Sequence, residues 1–179
     1  MDIADQYLPI FQFRERHSHT IAATPQRVMA AAQRYRPEQD VFFRRMIALR
    51  EVPLRLLLRR NQPTPPPFGL DRFTLLAAPT DHSIAYGLIG KFWQADYGLV
   101  RCPDGATFRA FDAVGTPRLL LIFTAEHLPR GHTRLQTETR VHCPDRASLL
   151  RFAPYWYVIR PVSGLIRQRM LRHIGRMSE

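Results

Sequence analysis

Lysine is all but missing from this chain: Lys91 is the single one among 26 basic residues, and arginine supplies the rest. Cysteine is almost as scarce. Cys102 and Cys143 are too few for a disulfide framework, and their distant, similar settings (RCPDG and HCPDR) do not have zinc-site spacing, so both are read as free thiols at strand ends. No stretch approaches the roughly 18 uninterrupted apolar residues of a membrane-spanning helix. The opening MDIADQYLPIF carries acids where a signal peptide has its basic region, so a cytoplasmic chain is expected. Neither a phosphate-cradling glycine loop nor a Ser-His-Asp set can be assembled, which removes the two commonest signatures of catalysis.

The formal charge of +11 in 179 residues invites a nucleic-acid reading. Its distribution argues against one. The arginines are scattered, Arg34 to Arg60 in one region and Arg151 to Arg176 in another, with no RNP, zinc-finger or helix-turn-helix pattern beside them. An arginine excess with abundant Ala, Leu and Pro is a compositional bias spread over a solvated surface. A chain of this length suits one domain over residues 1–179, and it can bury roughly 70% of its unfolded surface, leaving room for both a core and a cavity.

Alternation in FRERHSHTIAA sets Phe13, Glu15, His17, His19 and Ile21 on one side, the period of a strand, preceded by an extension over residues 1–12. Thr24 followed by Pro25 opens a short helix through Arg34. A second helix is expected in EQDVFFRRMIALREV, with Phe42, Phe43, Met46, Ile47 and Leu49 as its apolar stripe, and a proline-rich loop over 61–70. FTLLAAPT, SIAYGLIGKFW, ATFRAFDAVG, PRLLLIFTAEHL and HTRLQTETRVH then read as an antiparallel meander. Proline and glycine in Leu128-Pro129-Arg130-Gly131 fix the last hairpin, pairing Leu128 with His132. Leu119, Leu121, Phe123 and Ala125 then oppose Val141, Thr139, Thr137 and Leu135 on one face. Arg134, Gln136, Glu138 and Arg140 occupy the other, read as a solvated ion-pair ladder.

Asp145 caps a long last helix. At about 100° per residue, Leu149, Phe152, Ile159, Ser163, Ile166, Met170 and Ile174 fall within roughly 80° of Trp156, one continuous apolar face. Pro154 and Pro161 lie opposite, so the tryptophan side is expected to be concave.

Strand, two short helices, antiparallel meander and long C-terminal helix together make an α+β helix-grip order. GLIGKFW (87–93), LQTETRV (135–141) and FAPYWYVIRPVSGLIRQRMLRHI (152–174) resemble an uncharacterised bacterial subgroup of the START-like, or SRPBCC, superfamily of Bet v 1, polyketide cyclase and lipid-transfer domains. The resemblance implies a hydrophobic cavity between a curved sheet and the long helix. It leaves the chemistry open, because that scaffold serves carriers and enzymes alike.

The function expected is binding of a small apolar or amphipathic ligand at Trp93, Phe123, Thr137, Thr139, Phe152, Trp156, Ile159 and Arg160. Trp156 would be its floor and Arg160, with Arg167 the other arginine near that face, its polar anchor. Trp93, Asp96 and Tyr97 are placed at the cavity mouth. A cyclase- or dehydratase-type enzyme acting on a polyketide-like or lipid substrate is the rival, requiring Glu126, Asp112, His17 or His19 on the cavity wall. Arginine-mediated binding to an anionic membrane surface or nucleic acid is the third class. No cofactor is expected, and no metal: His17 and His19, and His127, His132 and His142 on the last hairpin, have no third ligand at a recognisable spacing.

Overall fold

The computed structural model describes residues 2–36, 70–94 and 96–179. The expected helix in EQDVFFRRMIALREV and the proline-rich loop up to Gly69 lie outside them. The protein is α+β, and the described residues form a five-stranded antiparallel sheet with a long C-terminal helix.

In chain order the elements are α1 (Ile3–Tyr7), β1 (Phe13–Ile21), α2 (Pro25–Arg34), β2 (Thr74–Leu75), β3 (Ser83–Ile89), α3 (Gly105–Ala110), β4 (Arg118–Leu128), β5 (His132–His142) and α4 (Arg146–Ser178). The sheet runs β1-β5-β4-β3-β2. The last hairpin has the register expected from its turn: Leu128 faces His132, Phe123 faces Thr137, and Leu119 faces Val141. Arg130 and Gly131 at φ 62° and 73° close it, both in the left-handed region.

Four sequence readings are corrected. ATFRAFDAVG is not a strand but holds α3, because Asp104 accepts a 2.7 Å bond from the Thr107 amide and starts a helical turn. Phe108 and Phe111, three residues apart, fall on one side of a helical turn but on opposite faces of a strand, so their spacing agrees with the cap. SIAYGLIGKFW leaves the sheet after Ile89, and FTLLAAPT contributes only Thr74 and Leu75. Cys102, accordingly, lies in the loop before α3 and not at a strand end, whereas Cys143 directly follows β5.

Both faces of the sheet are covered. Against one, which we call inner, lie α2 and α4. Ile21, Val28, Met29, Ile84, Phe123, Leu135, Met170 and Ile174 belong to one apolar cluster there, and Phe13, Leu88, Phe92, Val141, Phe152 and Trp156 to another. Against the outer face lie α1 and α3, where Tyr7, Leu8, Phe108, Leu120 and Ile122 make a third. The unbroken apolar run Leu119–Phe123 follows from this double coverage, since both sides of β4 are buried.

The outer charges are consequently not a solvated ladder. Glu138 and Arg140 are 5% and 3% exposed. Glu138 accepts from Arg14, Arg16 and Arg140 at 2.6 to 2.8 Å, while Arg140 also donates to Asp5 and to the Leu8 carbonyl and lies 4.6 Å from the Phe11 ring centroid. Residues 2–12 supply this cover. Burial alone would loosen the Arg140 proton, but the bonds and charges of Glu138 and Asp5 outweigh it and hold its pKa above the ordinary value.

Helix α4 is held at its start by a capping box. Asp145 accepts from the Ser148 amide at 2.8 Å and, with its other oxygen, from the Gly115 amide at 2.6 Å. It then runs through Pro154 and Pro161 along β1. Gly164 eases that approach, since a Cβ there would stand 3.3 Å from Glu15 Oε1 and His17 Cε1, whereas one on Gly175 would be in ordinary contact with Ile21 at 3.4 Å. No helix among the described residues is long and apolar enough to cross a membrane.

Candidate functional site

Between the two inner clusters the sheet turns polar. Cross-strand register places His17 beside Thr137, which faces Phe123, and Glu15 beside Thr139, which faces Leu121. Glu15 Oε1 and His17 Nε2 are 2.8 Å apart, joined by a hydrogen bond, and both side chains are mostly buried, 10% and 18% exposed. Thr137 is buried completely, yet its Oγ1 has no hydrogen-bond partner among the described residues. A buried hydroxyl left unmatched costs about 1 to 3 kcal/mol, a penalty that a valine of the same shape would not carry. Tyr86 lies one strand further in the Glu15 row; burial pushes its phenol pKa up, and the charge of Arg36 pulls it partly back.

This seam meets an open groove of about 560 Å³ between β1 and α4. Glu15 and His17 line it from the strand, with Arg14 and Arg16 from the sheet's other face, and the helix contributes Arg160, Pro161, Gly164, Leu165 and Gln168. Among the described residues three guanidinium groups and one carboxylate line it; Arg14 and Arg16 already pair with Glu138, so Arg160 carries most of the excess positive charge that favours an anion. A smaller groove of about 220 Å³, lined by Thr74, Val100, Arg101 and Cys102 among others, occupies the opposite edge of the sheet.

The residues singled out in the sequence are distributed unevenly about this site. Thr137 and Thr139 are in the seam, and Phe123 adjoins Thr137. Phe152 and Trp156 are buried in the second inner cluster, with ring centroids 5.9 Å apart, and Trp93 packs partly buried against it. Ile159 is buried on α4. Trp156 and Arg160 do not form floor and anchor of one pocket: the indole packs against Phe13 at 5.6 Å, whereas Arg160 is exposed and lines the groove. They are one turn apart on the helix, and the arginine stem carries its head outward. Arg167, on the same helix, has its Nη1 buried.

Of the acid-base candidates, Glu126 is 63% exposed and pairs with Arg134 at 3.0 Å, and Asp112 is exposed. His17 does reach the groove wall, and His19 faces α4 beside Gly175. Glu15 is the residue that sequence reasoning passed over. Its signal was its place beside His17 on the same face of the alternating strand. Tyr97, expected at a cavity mouth, is buried at a φ of 60°. Among the described residues no group of three or more His, Cys, Asp or Glu is gathered for a metal ion.

No protein-family model and no curated protein matches the chain. Among solved structures, the crystal structure of TTHA0849 from Thermus thermophilus is similar over 93% of this chain and 97% of that one, at 10% identity and a TM-score of 0.36.

Proposed function

We propose that the protein binds a small amphipathic molecule with an acidic end, in the groove and polar seam between the sheet and α4. The finer fold reading, a helix-grip of the START-like superfamily, belongs to the same proposal and is supported by the order of elements and the long helix against the sheet. The observation that carries it is the Thr137 hydroxyl, buried without a partner among the described residues and set beside His17 of the groove wall. Apolar surroundings with a few polar groups suit an amphipathic ligand. Arg160, in the groove with Arg14 and Arg16, meets the acid.

Native mass spectrometry after gentle purification looks for a co-purified molecule, and calorimetric titration with dodecanoate and dodecanol tests the preference. Saturable binding of dodecanoate is expected. Arg160→Ala should weaken dodecanoate about tenfold and leave dodecanol nearly unchanged, since only a charge-assisted bond is lost. Equal loss for both probes, or no binding of either, contradicts the reading.

The Glu15–His17 hydrogen bond favours one second reading, an enzyme of the cyclase or dehydratase kind. A carboxylate that orients an imidazole is the arrangement of a general base. His17→Gln would then stop turnover of a polyketide-like substrate while leaving its binding intact. Loss of binding with no turnover in the wild type assigns the pair to the binding role.

A further inference from the structure

The face of α4 turned away from the sheet is apolar along half its length. Leu150, Tyr157, Val158 and Leu165 are 62%, 65%, 54% and 54% exposed, and Pro154 and Pro161 are exposed beside them. At about 100° per residue, Leu150, Pro154 and Pro161 lie within roughly 60° of Tyr157, and Val158 and Leu165 within roughly 100° on the same side. These residues form one ridge, about 22 Å long at a rise of about 1.5 Å per residue. A continuous apolar strip of that kind on a water-facing helix marks an interaction surface.

The charged residues that the helix itself places on its border are all basic. Between Arg146 and Ser178 the helix carries seven arginines and no acidic residue. Arg146 extends the ridge at one end, Arg172 and Arg176 at the other, and Arg151 and Arg160 flank it; all five are exposed. A second copy of the chain would bring the same positive rim against this one, so charge opposes self-association. An apolar strip edged by guanidinium groups, with a tyrosine whose ring is apolar and whose tip is polar, has the chemistry of a helix lying in the headgroup boundary of a bilayer. Arginines at the rim meet lipid phosphates while the ridge enters the acyl region.

We propose that this face of α4 docks on an anionic lipid bilayer. The inference stands on the helix surface alone and holds whatever the groove binds. Arg160, Pro161 and Leu165 belong to both the ridge and the groove lining, so the test uses ridge residues outside the groove.

Flotation of the full chain with phosphatidylcholine vesicles, and with mixed phosphatidylcholine–phosphatidylglycerol vesicles, gives the first readout. Binding is expected on the mixed vesicles, absent from the neutral ones, and weaker as salt rises. The paired substitution Leu150→Gln and Tyr157→Gln removes apolar contact with good helix formers; it should weaken vesicle binding by about tenfold or more without changing the melting temperature. Arg151→Gln should weaken it about fivefold. Should the glutamine pair lower the melting temperature, Val158→Gln alone supplies the same comparison with a smaller loss. Failure to float with anionic vesicles overturns the proposal. So does undiminished binding by folded variants of the ridge, which would assign the affinity to overall positive charge or to an acidic macromolecule.

Discussion

The two faces of the sheet treat their polar groups in opposite ways. On the outer face, Glu138 and Arg140 are buried among matching partners: three arginines on one carboxylate, and Asp5 and the Leu8 carbonyl on one guanidinium. On the inner face, next to Glu138 along the same strand, Thr137 keeps a buried hydroxyl with no partner among the described residues. Matched polarity fastens α1 to the sheet. An unmatched buried hydroxyl opposes folding, and its place beside His17, which lines the groove, is the reason the binding proposal includes it.

The largest way to break the comparison is to unmatch the outer face. Glu138→Ala leaves Arg140 buried beside two further arginines, and urea unfolding should show a loss of roughly 3 to 5 kcal/mol. A loss under about 1 kcal/mol would mean that water enters beneath α1 and screens the network. Trp156→Ala tests whether the indole is core rather than ligand wall: its contacts with Phe13 and Phe152 predict a loss of roughly 3 to 5 kcal/mol in the ligand-free chain. Little loss would return Trp156 to the site.

Much of the fold was legible. Alternation placed β1, a threonine-proline pair began α2, and the Leu128–Gly131 turn gave the register of β4 and β5 residue for residue, because turn chemistry and period-two patterning are local. What failed depended on distant partners. Glu138 and Arg140 have the sequence of a solvated strand face, and only the packing of residues 2–12 buries them. The exception is α3, where the Asp104 cap and the three-residue spacing of Phe108 and Phe111 were local signals of a helix. Of the candidate site, the shared face of Thr137 and Thr139 was legible from the β4–β5 turn and that of Glu15 and His17 from the alternation of β1, but not their meeting, which depends on β1 pairing with β5. What the wheel did not give is the separation of the Arg160 head from the buried Trp156 ring, because it gives the direction of a Cβ and not of a guanidinium several bonds further out.

Acid should separate the faces more gently. Asp145 and Asp104 cap α4 and α3, and the amides they accept from, Ser148 and Gly115 for one and Thr107 for the other, hold their carboxyls below the ordinary 3.8. A carboxyl lowered in the folded state stabilises fully above its unfolded value and loses that contribution as pH falls through the folded one. Melting temperature should therefore decline as pH falls below about 4, and Asp145→Asn should flatten that decline. An equally steep decline in Asp145→Asn assigns it to other carboxylates. Cys143, pushed up to about 12 chiefly by burial and then by the Asp145 charge, should stay unreactive to thiol reagents at neutral pH.

The most direct measurement is the stability of Thr137→Val without ligand, by urea unfolding. If the hydroxyl serves binding rather than folding, replacing it with a methyl removes an unmatched group, and the ligand-free chain should gain about 1 kcal/mol while dodecanoate binds more weakly. A variant that is less stable than the wild type, with dodecanoate affinity unchanged, would contradict the account and make Thr137 an ordinary part of the core.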